Sequence, residues 1–191
     1  MASQKRITKT NTLPKTKRGK IADRSTAPNP QELAECMNNP PEGISVALPN
    51  DSDVHRWHVT ISGPPGTAYA GGTFGLVVTL PAEYPFKAPT VRFSTRVYHP
   101  NVTNDSLGSI CLGVLKAENW KPASKMLGVL EAVRALLAEP QPDDPLENHI
   151  ADEYKRDRAQ FDKNARAHTA KYARGPPSFA AAAKETTTRA P

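Results

Sequence analysis

Hydrophobic, β-branched and aromatic residues are concentrated in four segments between residues 44 and 93. Residues of these types favour strands. The connections between the segments are short and carry Gly and Pro, as in Gly63-Pro64-Pro65-Gly66 and Gly71-Gly72, which favours hairpins. We therefore predict an antiparallel meander with strands at Ile44–Leu48, Arg56–Ser62, Thr73–Leu80 and Thr90–Phe93.

After residue 123 the apolar residues take up helical spacing. Their face is wide enough to predict a buried central helix, which stops at Pro140 because proline breaks helical hydrogen bonding. Next, Asp144-Pro145-Leu146-Glu147 predicts a second helix start, with Asp144 as N-cap and Glu147 completing a capping box. One or two amphipathic helices should then run to about Gly175. The apolar positions of the central helix are Met126, Leu127, Leu130, Val133, Leu136 and Leu137.

The amino-terminal region predicts only a short helix, from after Asn29 to about Asn39, before two prolines. If residues 10–31 are left out, Lys9 joins Glu32 and a regular amphipathic stripe forms on one helix. We hypothesise that these 22 residues split one ancestral helix, either as an insertion or as a retained intron. A spliced transcript that lacks them would support the intron. The stripe would consist of Ile7, Leu33, Cys36 and Met37.

The length of 191 residues predicts one domain with tails. We assign residues 1–31 to a basic arm, 32–174 to the folded domain and 175–191, rich in Ala, Thr and Pro, to a disordered tail. No apolar run is long enough to cross a membrane, and no signal peptide follows Met1. We expect a cytoplasmic or nuclear protein, or one found in both compartments.

The positive charge is concentrated in the arm, which holds eight Lys and Arg and one Asp, whereas residues 32–191 hold 17 basic and 18 acidic residues. One interpretation of this arm is a solvated basic tail. The other is a weak nuclear-targeting signal or a weak attraction to nucleic acid, carried by Lys15-Thr16-Lys17-Arg18-Gly19-Lys20. Binding that weakens steeply with salt would mark the latter. We expect no specific nucleic-acid partner and no membrane association.

Candidate chemistry is concentrated around one cysteine. His99-Pro100-Asn101 lies upstream of Gly108-Ser109-Ile110-Cys111, and Trp120-Lys121-Pro122 follows. Cys111 thus lies in a turn region marked by Gly and Asn, with an amide side chain nearby in sequence. Thiols can accept activated acyl groups without a dedicated triad, so the pattern is typical of thioester chemistry. The alternative for Cys111 is a buried structural cysteine, and this is our interpretation of Cys36. The two cysteines and five scattered histidines show no zinc-ligand spacing.

The chain resembles the ubiquitin-conjugating enzymes from about Glu32 to Ala173. Seven motifs in the order of the family carry the resemblance, which implies the α+β UBC fold: a four-stranded antiparallel meander flanked by an N-terminal helix, a central helix and C-terminal helices. The motifs are Ile61-Ser62-Gly63-Pro64, Tyr69-Ala70-Gly71-Gly72, PAEYPFKAP at 81–89, Tyr98-His99-Pro100-Asn101, GSICL at 108–112, Trp120-Lys121-Pro122 and PQPDDPL at 140–146.

The resemblance implies that Cys111 is the thioester-forming nucleophile. Asn101 would stabilise the oxyanion or hold the active-site loop, and as a residue after proline it could equally be a turn residue. Asp144 would orient and desolvate an acceptor lysine, or act only as a helix cap. His99 and Pro100 are assigned to loop structure. Asn101 and Cys111 are ten residues apart instead of the eight common in the family, which predicts a two-residue insertion within Thr103–Leu107. Two extra loop residues cost little stability, so their effect should fall on the positioning of Asn101.

The resemblance also implies partners: ubiquitin, its activating enzyme, protein substrates, and ligases. Residues 117–123 (AENWKPA) resemble the subgroup that serves ligases with a catalytic cysteine, but that subgroup has His where this chain has Asp144, so RING-type ligases and direct transfer to lysine stay open. ATP is used by the activating enzyme, and no cofactor or metal is expected on this chain. The implied contacts are Phe86, Lys121, Pro122 and Ala123 for ligases, Lys5, Arg6 and Lys9 for the activating enzyme, and Ser45 for a second ubiquitin on the back of the sheet.

We therefore predict a ubiquitin-conjugating enzyme that receives ubiquitin on Cys111 and passes it to a ligase cysteine or a substrate lysine. Three alternatives remain. The chain could conjugate a ubiquitin-like modifier, act as a non-catalytic ubiquitin-binding adaptor of the same fold, or associate with nucleic acid through its arm.

Overall fold

Four strands form one antiparallel sheet in the computed structural model, which describes residues 30–50, 52–105 and 108–179. The strands pair in chain order, so the predicted meander is confirmed, with β1 and β3 each ending one residue earlier than expected. They are β1 (Ile44–Ala47), β2 (Arg56–Ser62), β3 (Thr73–Thr79) and β4 (Thr90–Phe93).

One face of the sheet is the floor of the core. Alternate residues of β2, namely Trp57, Val59 and Ile61, are fully buried, as expected when one face of an antiparallel pair is covered. Ile61 lies opposite Ile44 of β1 and Phe74 of β3, which makes an apolar row across three strands. The helices close the other side of this core.

The described part of the chain has four α-helices: α1 (Pro30–Asn38), α2 (Met126–Ala138), α3 (Asn148–Arg156) and α4 (Arg158–Tyr172). The predicted central helix is confirmed as α2, and Pro140 follows its end. Leu127 is only partly buried, whereas Val129, absent from the predicted stripe, is in the core. No helix within the described ranges is long and apolar enough to span a bilayer.

The helix start predicted at Asp144-Pro145-Leu146-Glu147 is wrong. α3 begins at Asn148, and the side chain of Asp144 does not cap it. Instead, the amides of Leu146 and Glu147 both donate to the carbonyl of Pro100, at 2.8 and 3.0 Å. This tertiary contact holds the segment in a turn, so the local capping box does not form.

α1 begins at Pro30, directly after Asn29 as predicted, and ends at Asn38, one residue before the predicted end. Its start lies two residues before the expected domain boundary. Cys36 is fully buried on it, whereas Met37 is 41% exposed. The apolar stripe predicted for a helix without residues 10–31 stays a prediction, because Ile7 lies outside the described residues. The region proposed as an insertion lies, except for Pro30 and Gln31, outside the described residues. So do Lys5, Arg6 and Lys9.

The first residues of the expected disordered tail pack against the outer face of the sheet. The ring of Phe179 stacks on His58 of β2, with centroids 4.1 Å apart and an interplanar angle of 9°. Pro177 lies over Gly75 of β3, where a Cβ would approach Pro177 Cβ to 2.7 Å. Residues 175–179 are therefore part of the fold, and a glycine at position 75 makes room for them.

Candidate active site

A close backbone contact places Cys111 beside the end of β4. Gly108 has φ +57°, and a Cβ there would lie 2.1 Å from the carbonyl oxygen of Phe93, so only glycine fits. The Phe93 amide donates to the Gly108 carbonyl at 2.8 Å, and Ser109 and Ile110 make isolated bridges to Arg92 and Val102. The next residue is Cys111, which is followed by Leu112 in extended backbone and then by a short 3-10 helix, Gly113–Leu115.

The longer loop upstream of Cys111 closes at its base. The Thr103 amide donates to the Ser109 carbonyl at 3.0 Å, and the Ser109 amide donates to Thr103 Oγ1 at 2.9 Å. The Asp105 carboxylate accepts from Thr103 Oγ1 and from the Gly108 amide. Because the loop closes in this way, the Cys111 amide still reaches the Asn101 carbonyl, at 3.0 Å.

The Asn101 side chain joins two loops of the site. It is 1% exposed, and its Nδ2 donates to the carbonyls of Gln141 and Asp144 at 2.7 and 2.9 Å. Its Oδ1 accepts from the Gln141 amide at 2.9 Å. A primary amide has two donor hydrogens and an acceptor oxygen. The Asn101 side chain thus makes three hydrogen bonds, all to loop 141–144. In this geometry Asn101 holds the loop that carries Asp144; the oxyanion role stays a prediction.

His99 lies beneath this junction and is fully buried. The Asn101 amide donates to its Nδ1 at 3.0 Å, so Nε2 carries the proton and donates to the Leu136 carbonyl of α2 at 2.9 Å. Burial lowers the pKa of His99 to about 4, which keeps the ring neutral. The prediction that His99 belongs to the loop structure is confirmed.

Three side chains meet at the exposed end of the site. Cys111 is partly buried, and its Sγ lies 3.5 Å from Oδ2 of Asp144, within reach of a thiol hydrogen bond. The same Oδ2 lies 2.5 Å from Nζ of Lys116. The structure therefore brings together Cys111 and Asp144, which the sequence placed in one site, and adds Lys116.

Desolvation, the hydrogen bond to Asp144 and its negative charge all raise the pKa of the Cys111 thiol, whereas Lys116 lowers it. The hydrogen bond from Lys116 holds the pKa of Asp144 below its usual value. Asp144 is therefore ionised at neutral pH, and Cys111 is mainly a thiol until a base or the acyl transfer itself removes its proton.

The residues predicted to face ligases lie on two adjacent loops. Phe86 is 76% exposed and so does not belong to the core, and Lys121, Pro122 and Ala123 are exposed as well. Trp120 joins the loops by donating from Nε1 to the Pro85 carbonyl at 2.7 Å. Next to them is a groove of about 370 Å³ lined by Pro122, Ala123 and residues of α1.

Ser45 is exposed on β1, on the outer face of the sheet. No group of three or more His, Cys, Asp or Glu in the described part of the chain could hold a metal ion.

Comparison with known proteins gives the site its context. The sequence model of the ubiquitin-conjugating enzyme family matches residues 29–169. The chain belongs to the ubiquitin-conjugating enzyme family. It is similar to ubiquitin conjugating enzyme E2 B of Dictyostelium discoideum, with 40% identity over 75% of this chain and 95% of that protein.

Two solved structures show the same family fold. One, described as a ubiquitin conjugating enzyme from Plasmodium yoelii, is 40% identical, covers 76% of this chain and 93% of its own, and has a TM-score of 0.70. The E2 domain of a Toxoplasma gondii ubiquitin conjugating enzyme is 34% identical, with 75% and 98% coverage and a TM-score of 0.67. The resemblance stated from the motifs is confirmed, and the chain is a transferase with the α+β UBC fold.

Sequence reasoning missed two residues of this ubiquitin-conjugating enzyme. Lys116 follows the cysteine loop and carries no motif of its own. Glu32 of α1 accepts from the amide of Met126, the first residue of α2, at 2.8 Å and from the Tyr84 hydroxyl at 2.8 Å. Both make contacts across long sequence separations, which a local sequence pattern does not reveal.

Proposed function

We propose that the chain receives ubiquitin as a thioester on Cys111 and passes it to a ligase cysteine or to a lysine. The observation that carries this proposal is the position of Cys111, partly accessible and 3.5 Å from an ionised carboxylate, on a loop fixed by Gly108 and Asn101. The other described cysteine, Cys36, is buried, and burial raises its pKa to about 12, so it is unsuited to attack.

In the first step, Cys111 loses its proton and its sulfur attacks the thioester carbonyl that the activating enzyme presents. The new carbon–sulfur bond forms as the old one breaks, and the thiolate of the activating enzyme leaves. In the second step, a ligase thiolate or a neutral lysine amine attacks the same carbonyl, and Cys111 leaves as a thiolate. Neither step requires a cofactor on this chain, since ATP is used to activate ubiquitin beforehand.

The surroundings of Cys111 suggest how these steps are assisted. We propose that Asp144, whose carboxylate lies 3.5 Å from the sulfur, orients the incoming amine, and that Asn101 assists by its hydrogen bond to the Asp144 carbonyl. Phe86 and the neighbouring groove are suited to an apolar anchor from a ligase, because exposed aromatic residues next to pockets dominate interfaces. We propose catalytic-cysteine ligases and RING-type ligases as the two classes of partner.

The test mixes the chain with activating enzyme, ubiquitin and ATP and follows adduct formation by gel electrophoresis. We expect an adduct that reductant removes from the wild type and from Cys36→Ala, and a reductant-resistant oxyester on Cys111→Ser. If the wild type forms no adduct while a control conjugating enzyme does, the proposal is wrong. An adduct only with a ubiquitin-like protein would reassign the modifier.

A further inference from the structure

A single carboxylate oxygen serves both the nucleophile and a lysine of the same chain. Oδ2 of Asp144 lies 3.5 Å from Sγ of Cys111 and 2.5 Å from Nζ of Lys116. An ammonium group therefore already occupies the oxygen that points at the sulfur. A lysine from a substrate would have to reach this same oxygen for Asp144 to orient it.

Hydrogen bonds within the loop fix the backbone at Lys116. Lys116 follows the 3-10 helix Gly113–Leu115, and its carbonyl accepts from the amides of Asn119 and Trp120 at 2.9 and 3.0 Å. The Asn119 side chain donates in turn to the Gly113 carbonyl at 2.9 Å. The loop that carries Lys116 is thus fixed relative to Cys111, while its ammonium group remains open to solvent.

We propose that Lys116 is a positioning residue for acceptor choice: it occupies the Asp144 carboxylate and disfavours transfer to lysine relative to transfer to a ligase cysteine. The proposal rests on the proposed function of Cys111. A lysine acceptor arrives as a cation and competes directly with Lys116 for the carboxylate. A thiol acceptor carries no positive charge and does not need this oxygen, so Lys116 does not compete with it.

Lys116 is itself a poor acceptor in this arrangement. Its hydrogen bond to Asp144 raises its pKa, so it stays an ammonium ion without a free electron pair. For transfer to a substrate, the acceptor ammonium first gives up a proton to solvent, and its nitrogen then bonds to the carbonyl carbon. The carbon–sulfur bond breaks, Cys111 leaves as a thiolate, and the new amide nitrogen gives its second proton to that thiolate or to solvent. Lys116 blocks the approach of the acceptor and takes no part in these bond changes.

Removing the charge of Lys116 has a second effect, of the opposite sign. Lys116 lowers the pKa of the Cys111 thiol, so without it the thiolate is a poorer leaving group. On that ground alone, a neutral residue at 116 would slow the transfer of ubiquitin to lysine. Faster transfer would therefore mean that release of Asp144 outweighs this effect, and the Asp144→Ala background identifies Asp144 as its source.

The experiment uses full-length chain charged with ubiquitin and purified from activating enzyme, and it follows loss of the thioester upon addition of free lysine. We expect Lys116→Met to speed the loss about twofold to fivefold at lysine concentrations below saturation, the range in which an exposed ion pair contributes. The half-saturating lysine concentration should fall, with the maximal rate less affected. Lys116→Arg keeps the charge and should behave like the wild type.

Lys155→Met is the matched control, because Lys155 makes a similar exposed ion pair, 2.7 Å from the neighbouring Asp143, but does not reach Cys111. It should leave the loss of thioester unchanged. In an Asp144→Ala background, which should itself discharge more slowly, Lys116→Met should no longer accelerate the loss.

Two outcomes would overturn the inference: slower or equal loss in Lys116→Met, and the same acceleration in the Asp144→Ala background. Ubiquitin found attached to Lys116 of the wild type would also overturn it. Failure of the wild type to form the initial thioester would instead contradict the proposed function, so the two failures are distinguishable.

Discussion

Asn101 shows at the scale of a single residue how one buried amide sets the geometry of the site. Replacing it with alanine would leave the Gln141 amide and the carbonyls of Gln141 and Asp144 without their partner. Unsatisfied polar groups of this kind cost about 1 to 3 kcal/mol. We predict that Asn101→Ala lowers the free energy of unfolding by about 2 kcal/mol, measured by urea denaturation.

The control for this prediction is Asn104→Ala, on the exposed part of the same loop, where surface substitutions stay within about 0.5 kcal/mol. A loss of transfer rate in Asn101→Ala at unchanged stability would favour the oxyanion role over the structural one. A parallel loss of transfer rate and stability would show that the Asn101 side chain acts mainly by holding loop 141–144.

At the scale of elements, His99 links the active-site loop to α2 and makes the link sensitive to acid. In the unfolded chain a histidine titrates near pH 6.5, whereas in the fold burial lowers the pKa of His99 to about 4. Between these values the unfolded state binds a proton that the folded state does not. The free energy of unfolding should therefore fall as the pH drops from 6.5 to 4, by up to about 1.4 kcal/mol per pH unit from this residue.

Urea denaturation at several pH values checks this, with His99→Gln as the comparison, which should show a flatter dependence on pH. NMR titration of the wild type should find the His99 ring neutral at pH 5. The prediction would be contradicted if the free energy of unfolding depended equally on pH in the wild type and in His99→Gln. A His99 ring that is protonated at pH 5 would contradict it as well.

The elements that local patterns define could be predicted, and those that tertiary contacts define could not. The strands and α2 follow from residue type and period, and the order of motifs gave Cys111 and its family. The start of α3 was mispredicted because the carbonyl of Pro100 holds Leu146 and Glu147 in a turn. The pairing of Lys116 with Asp144 lay equally beyond sequence reasoning, since it depends on two loops meeting in space.

At the scale of the whole molecule, the carboxyl-terminal segment covers part of the face on which a second ubiquitin was predicted to bind. Ser45 lies opposite Thr60, and Thr60 opposite Gly75, so the three residues form one row on the outer face. Neighbouring strands are about 4.8 Å apart, which puts Ser45 about 10 Å from Gly75. Pro177 lies over Gly75, and Phe179 covers His58 on the adjacent strand.

A chain ending at Gly175 should therefore be less stable and more open on this face than the full chain. Loss of the stacked pair costs about 0.5 to 1.5 kcal/mol, which corresponds to a fall in Tm of roughly 2 to 6 °C, measured by calorimetry. A chain ending at Phe179 keeps the packed segment and should match the full chain. If Ser45 marks a ubiquitin surface, NMR titration with ubiquitin should show tighter binding around Ser45 in the shorter chain, because residues 176–179 no longer limit access. The titrated protein carries no ubiquitin on Cys111. An unchanged Tm would contradict the packing of the segment, whereas a lower Tm with unchanged ubiquitin binding would mean that residues 176–179 stabilise the sheet without shielding Ser45.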